Sequence, residues 1–269
     1  MIITTQDQAV REILQSREEG KKILPFQSKP AWKPLRPIDI KEYRNNYIKN
    51  HPLGDKAFFK VLPDNSWKDE ACFIVAGGPS LMGFDFNRLK GAGRIIAINK
   101  AYLNVPFADI LLFMDISFYH VAIQNRLGEG SREAFEKFKG HRVFLDIQHK
   151  MPLLTYSIHS AGRWGFPSSM EEGLYHGNNT GYVALQLAYV LGCNPIYLLG
   201  YDASQINGKS HYHDGYPHMR QSPQVSASFA KGIEDLAPGL KKAGRRVINL
   251  NPNSAIKCFE FKTPDEVLG

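Results

Sequence analysis

The chain has 269 residues, of which 43% are hydrophobic and 12% aromatic, and its formal net charge at pH 7 is +7. This length and composition favour one folded domain with a sizeable core, and they exclude disordered and fibrous proteins. No apolar run approaches the roughly 20 residues that span a bilayer, and the first residues lack the pattern of a secretion signal. We therefore expect a cytoplasmic protein without a membrane span.

The first 70 residues differ in pattern from the rest of the chain. Residues 5–20 have the spacing of an amphipathic helix that begins with a capping box and ends at Gly20. Four prolines between residues 25 and 37 then interrupt any regular element, and residues 38–70 have mixed periodicity. We predict an N-terminal helix and an extended strap over residues 1–70, followed by an α/β domain over residues 71–269.

From residue 71 onward, short apolar runs alternate with helical patterns. The predicted strands are residues 71–76, 94–99, 109–115, 142–147, 195–200 and 245–250, and the clearest predicted helices are residues 179–191 and 226–243. Near-continuous apolar strands are typical of parallel sheets that are buried on both faces. The alternation predicts a doubly wound, mostly parallel Rossmann-like sheet, which binds ligands outside the carboxyl ends of its strands.

The first predicted strand breaks at a glycine-rich turn and then continues into an amphipathic stretch. The turn reads Gly77-Gly78-Pro79-Ser80. If a helix starts here, its unpaired backbone N–H groups and its positive end would bind a phosphate. A tight strand-to-helix turn without a ligand explains the same pattern, so both interpretations stay open.

Three more predicted strands end in a polar residue at the same edge of the sheet. They end in Asn99, Asp115 and Asp202, and each residue alone would be an ordinary turn or cap. The predicted helix that begins at Asn179-Thr180-Gly181 adds a further N-terminus, where Asn179 or Thr180 either caps the helix or helps to bind a phosphate or ribose. Because these strand ends and this helix start are expected at the same edge of the sheet, together they predict a nucleotide site.

A long polar loop follows Asp202, over about residues 203–224. Loops of this length in a compact domain are usually lids or site loops. The candidate catalytic residues in it are His211, Tyr212, His213 and His218. His213, which precedes Asp214, is the first candidate for a general base, while a metal site at His211 and His213 or a merely solvated lid are the alternatives.

Five segments resemble the bacterial sialyltransferases of the single-sheet α/β type, and more loosely the motility-associated glycosyltransferases of flagellin and the 6-hydroxymethylpterin diphosphokinase-like proteins. In chain order they are residues 74–81 (IVAGGPSL), 98–102 (INKAY), 179–184 (NTGYVA), 196–202 (IYLLGYD) and 251–254 (NPNS). The resemblance covers roughly residues 71–260 and leaves out the first 70.

The resemblance implies a transferase that uses a cytidine monophosphate sugar or a similar donor. The glycine turn would hold the donor phosphate, while Asn99, Thr180-Gly181 and the turn with Asn253 and Ser254 would hold the nucleotide. A lid histidine would take the proton of a hydroxyl acceptor, which is a glycan, a protein or a nucleic acid. Tyrosines would assist phosphate departure, and no metal would be required.

The chain departs from the sialyltransferase pattern at several positions. Gly77 stands where those enzymes have Asn, and Asp115 stands where they have an amide. A carboxylate at residue 115 suits a metal-bound diphosphate better. The alternatives are therefore a magnesium-dependent pyrophosphokinase, with Asp115 and Asp202 holding the ion through the phosphates, and a nucleotide-binding module without catalysis.

Overall fold

A computed structural model of the protein describes residues 56–147, 152, 154–213 and 223–269. These residues belong to one compact unit that spans residues 51–269. The predicted N-terminal helix, the strap, Asp214 and His218 lie outside the described residues.

The described residues form a nine-stranded sheet in which every pair of neighbouring strands is parallel. The strands are Cys72–Val75 (β1), Arg94–Ile98 (β2), Ile110–Phe113 (β3), His141–Asp146 (β4), Tyr156–Gly162 (β5), Leu174–Tyr175 (β6), Ile196–Leu199 (β7), Val247–Asn249 (β8) and Glu260–Phe261 (β9). The parallel α/β architecture predicted from the sequence is thereby confirmed.

The strand order reverses in the middle of the sheet. The order is β6-β5-β4-β3-β2-β1-β7-β8-β9, so the chain moves outward from β1 to β6 and then returns to place β7 beside β1. Connections from β1 and β7 therefore leave in opposite directions and open a crevice at the carboxyl ends of these two strands. This topology places the crevice directly after the glycine turn.

Six α-helices and three short 3₁₀ helices surround the sheet in the described part of the chain. The α-helices are Phe58–Val61 (α1), Ile116–Ile123 (α2), Ser131–Glu136 (α3), Thr180–Val190 (α4), Pro223–Lys242 (α5) and Pro264–Leu268 (α6), and the 3₁₀ helices are Pro79–Leu81, Phe86–Leu89 and Asn99–Leu103. Helices α4 and α5 agree with the predicted helical patterns. Within these residues, no helix has both the length and the apolar character that crossing a membrane requires.

The core lies on both faces of the sheet. Ile74 of β1 packs into one apolar cluster, whereas its neighbours Phe73 and Val75 pack into the other. Successive side chains of a strand point to opposite faces, and both faces are covered here. This is why the central strands are continuously apolar instead of alternating.

The structure differs from the sequence predictions in three places. The glycine turn leads into a three-residue 3₁₀ turn and not into an α-helix, because the chain is already extended at Met82 and turns left-handed at Gly83. Residues Phe58 and Trp67, assigned above to the extension, are buried in the core of the α/β unit. Strands β5, β6 and β9 were not predicted, since β6 and β9 have only two residues each and β5 is only partly apolar.

Candidate functional site

A cavity of about 460 Å³ opens at the carboxyl edge of the sheet, at the point between β1 and β7 where the strand order reverses. Its volume lies in the usual range for small-molecule sites. It is lined by the ends of β1, β2, β3 and β7, the start of α4, the loop after β7 and the first half of α5.

Most of the predicted site residues meet in this cavity. Those that line it are Gly77, Gly78, Asn99, Asp115, Asn179, Thr180, Gly181, Asp202, His211 and His213. Pro79, Ser80, Tyr212, Asn253 and Ser254 are not among the lining residues. Residues more than 130 positions apart in the sequence therefore share one site, as the rule for parallel sheets requires.

Asp202 forms a buried junction between three strand ends. Its carboxylate accepts hydrogen bonds from the Ser80 amide at 2.9 Å and the Ser80 hydroxyl at 2.7 Å, and from Asn251 Nδ2 at 3.1 Å. Only 1% of Asp202 is exposed, whereas a bound Mg²⁺ usually keeps several waters. The carboxylate of Asp202 is thus already engaged by Ser80 and Asn251, and its role as a magnesium ligand stays a prediction.

Gly78 is required by the same junction. A Cβ atom at Gly78 would lie 1.9 Å from Asp202 Oδ2 and 2.3 Å from the Gly200 carbonyl oxygen. Any side chain would therefore force the β1 and β7 ends apart. A Gly78→Val variant would break the fold and could not test phosphate binding.

The Asn-Pro-Asn-Ser turn supports the backbone below the cavity. The Ser254 hydroxyl donates to the Tyr201 carbonyl at 2.6 Å and accepts from the Ile256 amide at 3.0 Å, and the residue is completely buried. The Asn253 amide donates to Asn251 Oδ1 at 3.0 Å. Neither residue lines the cavity, so the nucleotide contact that the resemblance implies for them stays a prediction.

Tyr212 anchors the loop after β7. Its amide donates to the Gly77 carbonyl at 3.1 Å, and its hydroxyl donates to Asn104 Oδ1 at 2.9 Å. Burial raises the pKa of Tyr212. The geometry therefore gives Tyr212 a positioning role, because its hydroxyl is engaged outside the cavity.

Three buried amide atoms at the cavity have no hydrogen-bond partner among the described residues. They are Asn99 Oδ1, Asn178 Oδ1 and Asn179 Nδ2, and all three residues line the cavity. A buried polar atom without a partner is unfavourable by roughly 1–3 kcal/mol. A ligand with its own donors and acceptors would satisfy all three atoms.

The start of α4 has the capping role that the sequence predicted, and it also leaves a side-chain donor unpaired at the cavity. Asn179 caps the helix, since its Oδ1 accepts from the Tyr182 amide at 2.8 Å, while its Nδ2 stays unpaired. Asn99 Nδ2 donates to Thr180 Oγ1 at 3.5 Å, and Asn99 itself has a left-handed backbone with φ of 50°. Non-glycine residues in this conformation are uncommon and concentrate at functional sites.

His211 and His213 form a stacked pair on the loop side of the cavity. Their ring centroids lie 5.0 Å apart with an interplanar angle of 22°. Burial, together with the positive charge of Lys100, lowers the pKa of His211. Burial, then His211 and Lys100, lower the pKa of His213 to about 3. Both imidazoles are therefore neutral near pH 7.

Replacing His213 with asparagine should make the unliganded protein more tolerant of mild acid. His213 has a folded pKa of about 3 against about 6.5 in an unfolded chain, so the unfolded state binds more protons between these values. The contribution of neutral His213 to the free energy of unfolding should therefore be fully present above this window and be lost as the pH drops through it. Melting temperatures between about pH 7 and pH 4 should fall less in the variant. An equal fall in melting temperature in the wild type and the variant would contradict the buried, neutral state of His213.

Asp115 is the carboxylate that remains available at the cavity. It precedes α2 and makes no capping hydrogen bond with its side chain, and desolvation by the surrounding protein raises its pKa. No group of three or more His, Cys, Asp or Glu side chains suited to a metal ion occurs within the described ranges.

The sequence did not identify several lining residues. Asn178 belongs to the Asn-Asn-Thr sequence before α4, and an amide next to a predicted cap could have marked it. Phe229 and Ile233 have the helical spacing of a core face on α5, and they also form a wall of the cavity. A helical periodicity cannot separate these two roles.

No family model matches the chain, and no curated protein matches it. Among solved structures, the chain is similar to a sialyltransferase from Campylobacter jejuni in complex with a substrate analogue, cytidine-5'-monophosphate. The identity is 16%, the match covers 74% of this chain and 86% of that chain, and the TM-score is 0.43. We assign no function from a similarity at this level.

Proposed function

We propose that the protein is a glycosyltransferase-like enzyme that binds a sugar nucleotide in the cavity between β1 and β7 and transfers the sugar to a hydroxyl acceptor. The observation that carries the proposal is the set of unpaired amide atoms beside two neutral histidines in one cavity. Four of the five segments that resemble sialyltransferases contribute residues to that cavity.

The donor nucleotide would bind against two of the unpaired amides, those of Asn99 and Asn179. Asn99 Oδ1 can accept from a ribose hydroxyl or a base N–H group, and Asn179 Nδ2 can donate to a ribose or phosphate oxygen. The first amides of the 11-residue α4 are at the positive end of that helix and favour a phosphate. We propose a cytidine monophosphate sugar as the donor, on the resemblance alone.

A histidine of the stacked pair would act as the general base. The neutral imidazole accepts the proton of the acceptor hydroxyl, while the oxygen of that hydroxyl attacks the anomeric carbon of the sugar. The bond from the anomeric carbon to the phosphate oxygen breaks, and its electron pair leaves with the nucleotide. The nucleotide's negative charge also raises the low histidine pKa, so the ligand itself improves the base.

Two alternatives make different predictions. A magnesium-dependent phosphoryl transferase is favoured by the carboxylate of Asp115, which makes no capping hydrogen bond, although the carboxylate of Asp202 already accepts three hydrogen bonds. A nucleotide-binding module without catalysis would bind nucleotide with no turnover. Under the proposed function, turnover requires no metal.

A thermal-shift screen tests the proposal. Cytidine, uridine, guanosine and adenosine mono- and diphosphates are added to the protein, each with magnesium and with EDTA. We expect one nucleoside phosphate to raise the melting temperature in EDTA as much as in magnesium, since a ligand of the native state stabilises it by mass action. Stabilisation that needs magnesium supports the phosphoryl transferase, and no stabilisation by any nucleotide contradicts the proposal.

Asn99→Ala should weaken nucleotide binding by roughly 1–3 kcal/mol, the usual effect of losing a buried hydrogen-bond partner. Alanine also strains the left-handed backbone at this position. Asn99→Gly is the matched control, because it removes the same amide but suits that backbone. Calorimetric titration should show the same loss of affinity in both variants, with a lower melting temperature only in Asn99→Ala. Wild-type affinity in Asn99→Gly would place the ligand away from Asn99.

A further inference from the structure

Trp164 is a half-exposed aromatic residue held rigidly near the cavity. It follows β5 at the carboxyl edge of the sheet and has 45% of its surface exposed. The backbone on either side is fixed, because the Gly177 amide donates to the Arg163 carbonyl at 2.7 Å and Tyr182 Oη donates to the Gly165 carbonyl at 2.8 Å. The Tyr182 ring packs edge-on against the indole, with centroids 5.6 Å apart.

Helix α5 carries a glycine where the indole approaches. A Cβ atom at Gly232 would lie 3.0 Å from Trp164 Cζ3 and 3.7 Å from Asn178 Oδ1. Glycine is unfavourable inside a helix, and here it leaves space for both side chains. Gly232 is next to Ile233, which lines the cavity. The indole, the amide and the cavity wall therefore meet at one place.

Asn178 presents a fixed and unsatisfied acceptor at that place. Its Nδ2 donates to the Ser228 hydroxyl on α5, which orients the amide. Its Oδ1 is buried without a partner in the described part of the chain, and the residue lines the cavity. A ligand at this position must supply a hydrogen-bond donor.

We propose that Trp164 and Asn178 form the acceptor subsite, and that the acceptor is a carbohydrate with a pyranose ring. A pyranose has an apolar C–H face that packs on an indole, and hydroxyl groups that donate to an amide oxygen. The Arg163 guanidinium, 5.5 Å from the indole centroid, adds donors at the same rim. This inference rests on the proposed function and names the class of its second substrate.

The subsite is tested by tryptophan fluorescence with methyl β-D-galactopyranoside and methyl β-D-glucopyranoside as probes, with and without the nucleotide that the thermal-shift screen selects. Trp164 is the exposed tryptophan of the described region, whereas Trp67 is buried. We expect a saturable change with at least one probe in the wild type. Trp164→Leu should abolish this change, and Asn178→Ala should weaken binding of the probe at least fivefold.

Phe166→Ala is the matched control. Phe166 lies two residues further along the same loop and has 36% of its surface exposed, but it packs against Tyr189 and beside Gly239, away from Asn178. We expect this variant to bind the probes like the wild type. In a coupled assay, Trp164→Leu should raise the KM for the acceptor at least tenfold while the melting-temperature shift by nucleotide stays unchanged.

Two results would overturn the inference. The first is that neither saccharide changes the fluorescence of the wild type, whether or not a serine-containing peptide or a single-stranded oligonucleotide changes it. The second is that a folded Trp164→Leu variant keeps the wild-type KM for a sugar acceptor. The rise in melting temperature with nucleotide is measured on the same samples. Its absence would contradict the proposed function, whereas a saccharide titration without effect, beside a normal nucleotide shift, contradicts only the acceptor subsite.

Discussion

Asp202→Ala should lower the free energy of unfolding by roughly 3 kcal/mol, because it removes the acceptor of one buried and two partly buried hydrogen bonds. The donors are the amide and hydroxyl of Ser80 and the Asn251 side chain. Asp202 thereby links the ends of β1 and β7 to the turn after β8. Urea denaturation, read from the shift of the midpoint at constant slope, measures the loss.

The control for this prediction is Ser80→Ala, which removes one of the three donors and keeps the other two hydrogen bonds. It should lower the stability by about 1 kcal/mol. A result in which Asp202→Ala unfolds like the wild type but loses a magnesium-dependent activity would contradict the structural role. It would restore Asp202 as a ligand of a metal-bound phosphate.

His213→Ala should lower turnover by about 100-fold or more, the usual contribution of a positioned general base. Its neutral imidazole lines the cavity and stacks on His211, so it is the first candidate to take the acceptor proton. His211→Ala is tested beside it, since either ring of the pair can act. Nucleotide affinity should stay nearly unchanged in the variant that has lost the base.

Tyr212→Phe is the control for the histidine variants. Its ring and backbone remain to anchor the loop, and only the hydrogen bond to Asn104 is lost. Turnover should therefore stay within a few-fold of the wild type. Full activity in His211→Ala, His213→Ala and His218→Ala, or activity that requires magnesium and disappears in Asp115→Ala, would exclude the histidine base and support phosphoryl transfer.

The sequence by itself determined the central strands and the edge at which the site forms. The central strands are covered on both faces, and their sequences are therefore continuous apolar runs. These strands are β1, β2, β3 and β7. Polar or glycine residues mark the points where these runs stop. Because all strands of the sheet are parallel, those points lie at one edge, and this local information was sufficient to bring Asn99, Asp115 and Thr180 into one predicted site.

Only the tertiary structure decided which of these side chains are free to meet a ligand. Asp115 and Asp202 both follow apolar strands in the sequence. In the structure, the Asp115 side chain makes no capping hydrogen bond. The Asp202 carboxylate accepts a hydrogen bond from Ser80, which is 122 positions away. The same holds for Tyr212, whose partner Asn104 is 108 residues away. Hydrogen-bond partners of this kind are chosen by the packing of distant segments, which no local pattern records. The positions of Asn178, Trp164 and Gly232 around one point likewise depend on how α5 packs against the loop after β5.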